Sequence, residues 1–190
     1  MSSLKIFILM LIIFSISACG SGDDLIVHEQ KIYGALIDYW EASKQHPAWI
    51  RSSSLSFKNQ EQDESIDRFK EKISDLNSIK ASFNSINTIP STLSLPNSEK
   101  ITIFPESEYK RIFGNKEKSL NSRWHMFYRK NPQAHGLVNI SRVGFNKKAT
   151  QALVYYAMSC GSHCGNGYMV LLERGLFGWK LVWVEHLSVS

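Results

Sequence analysis

Leu137 to Phe145 (LVNISRVGF), Gln151 to Ser159 (QALVYYAMS), Tyr168 to Glu173 (YMVLLE) and Trp179 to Leu187 (WKLVWVEHL) decide the fold. Each is short, rich in β-branched and aromatic residues, and bounded by turn formers, which is how a strand reads. Their connections are Asn146 to Thr150, the Gly-rich loop Cys160 to Gly167, and Arg174 to Gly178. Connections this short demand antiparallel pairing, because a parallel neighbour needs a crossover of about a dozen or more residues. The expectation is a four-stranded antiparallel meander. In its last strand Trp179, Leu181, Trp183 and Leu187 alternate with more polar positions and share one face.

Upstream, the pattern changes period. Asp24 to Lys44 carries Ile26, Tyr33, Leu36, Ile37 and Trp40 at helical spacing, with Asp23 and Asp24 at its start and His46-Pro47 at its end. Ser65 to about Ile86 repeats the pattern with Ile66, Phe69, Ile73, Leu76, Ile79 and Phe83. Between them, Trp49 to Phe57 alternates weakly and reads as extended, with Trp49, Ser53, Leu55 and Phe57 on one side; Asn59 to Glu64 is polar. Pro90, Pro96 and many hydroxyls make 87–98 a loop. Lys100 to Phe104 has a strand pattern, Pro105 to Gly114 a short helical one, and Trp124, Phe127 and Tyr128 cluster on a short turn before Pro132. The meander needs a cover, and the two long apolar stripes supply it. The fold class expected is α+β, with N-terminal helices packed on one face of the C-terminal sheet.

The first nineteen residues carry a different message. Lys5 precedes an apolar run from Ile6 to Ile16, and Ile16-Ser17-Ala18-Cys19 follows. The run is too short for a membrane span, which needs about 20 apolar residues, and fits a signal peptide. Its end resembles the lipobox of bacterial lipoproteins. That resemblance implies cleavage before Cys19, acylation of Cys19, and membrane lipid as the partner of the processed start. Each buried methylene contributes about 0.8 kcal/mol, so two or three acyl chains make detachment negligible. Gly20 following the cysteine implies, by the same resemblance, an outer-membrane lipid anchor on the periplasmic or surface side in a Gram-negative host, and the outer leaflet of the plasma membrane otherwise. The chain then divides into a lipoprotein signal peptide (1–18), a short tether (19–24) and a single α+β domain (25–190) with 87–98 as an internal loop.

Of 190 residues, 22 are basic and 17 acidic; loss of Lys5 with the leader leaves 21 against 17, a net of +4. The excess is dispersed, its densest point being Lys147-Lys148, and no basic stripe is interleaved with aromatics. That argues against nucleic acid as a partner and leaves attraction to anionic lipid open.

From roughly Arg123 to Ser190 the chain resembles a family of uncharacterised bacterial secreted proteins and lipoproteins. The likeness rests on Trp124, Phe127-Tyr128, Pro132, Ser141-Arg142-Val143-Gly144-Phe145-Asn146, Gln151-Ala152-Leu153-Val154-Tyr155, Cys160-Gly161, Cys164-Gly165-Asn166-Gly167-Tyr168 and Gly178-Trp179-Lys180. It implies a shared sheet and no particular chemistry.

Cys160-Gly161-Ser162-His163-Cys164 is the one concentrated candidate for chemistry. In an oxidising compartment a local disulfide between Cys160 and Cys164 is expected, since a tight turn brings such Cα atoms within the bridging range of about 4.4–6.8 Å. The alternative is a metal-binding or thiol-redox site using Cys160, His163 and Cys164, a soft donor set suited to Cu(I) or Zn(II) that lacks a fourth ligand. The spacing excludes c-type haem attachment. Arg142 is the candidate binding residue, with pairing to a carboxylate as the plainer reading; Gly144 marks a bulge or a close backbone approach. The histidines lack the helical zinc spacing, there is no Gly-x-Ser-x-Gly elbow, and no cofactor motif is present. The expectation is a membrane-anchored envelope lipoprotein with a non-catalytic binding or structural role, through an envelope protein partner or an unidentified ligand, and without enzymatic activity of its own.

Overall fold

A computed structural model describes residues 22–42, 48–58 and 62–189. In chain order the elements are α1 (Gly22–Ala42), β1 (Ala48–Arg51), α2 (Asp63–Asp67), α3 (Leu76–Ile86), β2 (Ile101–Phe104), α4 (Glu106–Phe113), α5 (Leu120–Lys130), β3 (Leu137–Ile140), β4 (Gly144–Phe145), β5 (Gln151–Gly161), β6 (Cys164–Gly175) and β7 (Gly178–Val189). The expected signal peptide and Cys19 lie outside the described residues, as does the His46-Pro47 stop. Of the expected tether, Gly22 to Asp24 already belongs to α1.

The class is α+β, as expected, but the sheet is larger and mixed. Seven strands run in the order β2-β1-β3-β5-β6-β7, with β4 also paired to β5. The last third does pair antiparallel throughout, β3 and β4 with β5, β5 with β6, and β6 with β7. The expectation of four strands is corrected by β1 and β2, which extend the sheet beyond β3 in parallel fashion. Parallel pairing requires long crossovers, and the chain supplies them. The segment carrying α2 and α3 connects β1 to β2; α4 and α5 connect β2 to β3.

The helices cover both faces, not one. Alternation sends Ala152, Val154 and Tyr156 of β5 toward Ile32, Tyr33, Leu36, Ile37 and Trp40 of α1. Leu153 of β5, with Met169 and Leu171 of β6, points the other way and meets Ile66, Phe69, Ile73, Ile79 and Phe83. A third cluster continues that second layer: Leu137 and Phe104 pack with Ile112 of α4 and with Trp124 and Phe127 of α5. The uninterrupted run Ala152-Leu153-Val154 reflects this, because a strand buried on both sides has no polar face to alternate.

Four local expectations change. The single helix from Ser65 to Ile86 is broken into α2 and α3. Asp75 caps α3 by accepting from Ser78 N at 3.2 Å, and Gln151 holds the break open. The Gln151 amide accepts from Ser74 N at 2.8 Å and donates to Lys72 O at 2.9 Å. The loop 160–167 is a tight turn at Ser162-His163, with Gly161 paired to Cys164. The aromatic turn before Pro132 is the full helix α5. In β7, a bulge between Leu181 and Trp183 resets the alternation, so that Leu181 pairs with Leu172 and Trp183 with Leu171. Trp183 and Leu187 therefore do not share a face with Trp179 and Leu181; Leu187 packs on the α2–α3 side.

Candidate functional site

The expected strand Leu137 to Phe145 is interrupted at Ser141-Arg142-Val143. Ile140 pairs with Tyr156 and Gly144 with Leu153, so three residues on one strand face two on the other. This is a bulge, and Ser141 repairs its hydrogen bonding. Ser141 N donates to Tyr155 O at 2.9 Å, and the Ser141 hydroxyl accepts from Tyr155 N at 2.9 Å in place of a backbone carbonyl. Gly144 serves the second purpose expected of it. A Cβ there would lie 2.6 Å from the Cα of Phe83, so α3 crosses β4 in direct backbone contact.

The bulge turns Arg142 toward α1. Its Nε donates to Glu29 Oε1 at 2.6 Å and its Nη1 to Ser91 Oγ at 3.1 Å. The same Glu29 oxygen accepts from Tyr33 Oη at 2.8 Å and from Val143 N at 3.2 Å. Tyr33 Oη also lies 3.0 Å from Ser141 O. Asn87, fully buried at the end of α3, brackets the arginine backbone: its Oδ1 accepts from Arg142 N at 2.7 Å and its Nδ2 donates to Arg142 O at 3.1 Å. Glu29 is 3 % exposed and Arg142 22 %. Burial, then the Glu29 charge and the hydrogen bond to it, push the Tyr33 phenol well above its ordinary range. The Glu29 hydrogen bond raises Arg142 further. The arrangement is a neutralised ion pair joining α1, the α3 terminus and the sheet. It floors a mostly apolar cleft of about 260 Å³ walled by Leu25, Ile86, Val143 and Phe145.

Glu29 is the residue that reading by type overlooks. Its signal is positional: it lies four residues before Tyr33, on the stripe that continues through Leu36, Ile37 and Trp40. Ile26, assigned to that stripe from its spacing, is 43 % exposed, and Ile32 is buried instead.

Beside the cleft, His28 packs edge-on to Trp179 with ring centres 5.8 Å apart and contacts Phe145 at 6.5 Å. Trp179 Nε1 donates to His28 Nδ1 at 3.2 Å. The network thereby assigns the proton of the neutral ring to Nε2. Burial foremost, then Arg174 and Lys31, hold His28 below its ordinary value, against a smaller opposing effect of Asp24.

At the opposite end of the β5–β6 pair, Cys160 and Cys164 are joined, with Cα atoms 5.1 Å apart. Cys160 is unpaired in the ladder, and Tyr128 Oη donates to its carbonyl at 2.9 Å. His163 is exposed in the turn. Among the described residues, no three His, Cys, Asp or Glu side chains are arranged to hold a metal ion. The structure thus keeps Arg142 and the cysteine pair far apart along the sheet; Cys19 lies outside the described residues. Among the described residues, no helix is long and apolar enough to cross a membrane. No family model, curated protein or solved structure matches the chain.

Proposed function

We propose that this protein is a cell-envelope lipoprotein, anchored through acylated Cys19, whose folded body has a non-catalytic binding or structural role at the membrane surface. The sequence Ile16-Ser17-Ala18-Cys19 behind a short apolar run carries the reading. A cysteine pair at bridging distance is consistent with an oxidising compartment. The polar cluster around Glu29 and Arg142 ties α1 to the sheet through a closed set of hydrogen bonds, which suits a structural role.

Mass spectrometry of the protein isolated from host envelopes tests the anchor. The expected product begins at Cys19 and carries the mass of a diacylglyceryl group; Cys19→Ala abolishes that mass and the membrane association. An unmodified start refutes the anchor. Thiol titration of unreduced protein separates the alternative role. Two reactive thiols, with one equivalent of zinc or copper lost on Cys164→Ser, would replace the structural reading by a metal or redox site at Cys160, His163 and Cys164.

A further inference from the structure

The β6–β7 hairpin ends in Leu176 and Phe177, and both side chains are fully exposed. The conformational demand of the turn is met beside them, by Gly178 at φ 125°. Polar residues would serve the turn equally well, and these two add nothing to any core cluster. They sit at the tip of two twelve-residue strands that pair as far as Gly175 and Gly178, so they are presented on a stiff arm.

The same end of the sheet holds the start of α1. His28 meets Trp179, the second residue of β7, and just before it Leu25, Ile26 and Val27 are 45, 43 and 46 % exposed. Exposed basic residues surround these apolar side chains. Lys147 and Lys148 lie in the turn entering β5, and Lys147 walls the cleft that Leu25 also walls. A second cleft of about 620 Å³ opens between α1 and the hairpin turn, with Lys31, Arg174, Leu176 and Phe177 on its walls. Acids at this end include Asp24 near the start of α1, Asp38, Glu173, and Asp75 next to the Ser74 that bonds Gln151; Asp38 is held by Lys100, Glu173 accepts from the Gln151 amide and Asp75 caps α3. Large apolar side chains ringed by lysine and arginine match the chemistry of a bilayer interface bearing anionic headgroups.

We propose that this end is a membrane-docking face. Leu176 and Phe177, together with Leu25 to Val27 at the same end of the sheet, seat in the interfacial layer of a bilayer, and Lys31, Lys147, Lys148 and Arg174 meet anionic phospholipid headgroups. The geometry rests on the lipoprotein reading. Gly22 follows Cys19 by three residues, which span at most about 11 Å. An anchor at Cys19 would therefore lie within that reach of the start of α1, whose His28 meets Trp179 at the base of the hairpin turn.

The test uses the acylated full chain in phosphatidylethanolamine–phosphatidylglycerol vesicles, with an environment-sensitive fluorophore on Phe177→Cys. The control label is on Glu117→Cys, near Asn121, which bonds Ser162 at the far end of the β5–β6 pair. The expected result is a blue-shifted emission, quenched by spin-labelled lipid, at position 177 and not at 117. The quenching should fall several-fold in Lys147→Glu/Lys148→Glu and in phosphatidylcholine vesicles. Aqueous emission at 177 on protein that floats with the vesicles overturns the docking face while sparing the anchor. A shift without vesicles that grows with protein concentration also overturns it, because another copy then covers the turn. Mass and flotation read the anchor separately; an unacylated chain whose label still enters vesicles refutes the anchor and keeps the docking face.

Discussion

Glu29 sits one turn before Tyr33 on the buried stripe of α1, so its charge requires partners from the sheet. Arg142 is the charged one. Arg142→Met strands a buried carboxylate and is expected to destabilise by about 3 kcal/mol, read from urea unfolding. Adding Glu29→Leu recovers only part of that loss, because Tyr33 Oη and Val143 N then lose their acceptor. Full recovery would mean that the ion pair acts alone. His28 yields a second prediction. Its folded pKa is depressed below 6.5, so its contribution is present above the unfolded value and lost as pH falls from there through the folded one. Protonation also removes the Nδ1 acceptor of the Trp179 indole. The melting temperature should therefore fall on going from pH 7 to 5, and fall less in His28→Asn, which keeps an acceptor without titrating. At this scale the sequence was only partly legible. Arg142 stood out by type, and pairing with a carboxylate was the plainer expectation. Which carboxylate it meets depends on bringing together residues more than a hundred positions apart.

Elements were legible where the period was clean and illegible where a side chain edits the backbone. The apolar stripe from Ile66 to Phe83 is buried as its spacing requires, yet Gln151, from a strand, supplies the hydrogen bonds that let the helix break at Ser74. The Ser141 hydroxyl likewise stands in for a ladder carbonyl, a substitution that alternation does not encode. Gly144 was readable as a close approach, and it defines the third prediction. Gly144→Ala drives a methyl into the Phe83 backbone and should cost about 1–3 kcal/mol by calorimetry. No loss would show that α3 shifts freely on β4. The cysteine pair defines the fourth. Its loop is so short that Cys160→Ser/Cys164→Ser should cost about 2 kcal/mol or less in chemical denaturation, leaving the secondary structure seen by circular dichroism intact. Loss of the fold would assign the bridge a larger role.

At the scale of the molecule, the antiparallel third was readable because short connections leave no other pairing. The parallel strands β1 and β2 were not. They are four residues each, and their partners lie across long helical segments. Double-sided cover was encoded in the unbroken run from Ala152 to Tyr156 and in Met169 to Leu172, which a single covered face does not explain. The layering sets the fifth prediction. Native-state amide exchange should be slowest in β5 and β6, buried on both sides, and faster in the edge strand β2 and the first turn of α1. Equal protection throughout would indicate opening only by global unfolding.

The clasp at Glu29 has a mechanical meaning. A tug on the chain ahead of Gly22 is transmitted first to the opening turns of α1, where the side chains from Asp24 to Val27 are exposed and little resists peeling. Seven residues in, the pull reaches a carboxylate bonded to Arg142, Tyr33 and Val143, and further yielding would drag a charge out of its partners. The helix is thus riveted near its N-terminal end, and strain applied there stops at Glu29 before it reaches the apolar contacts of Leu36 and Trp40.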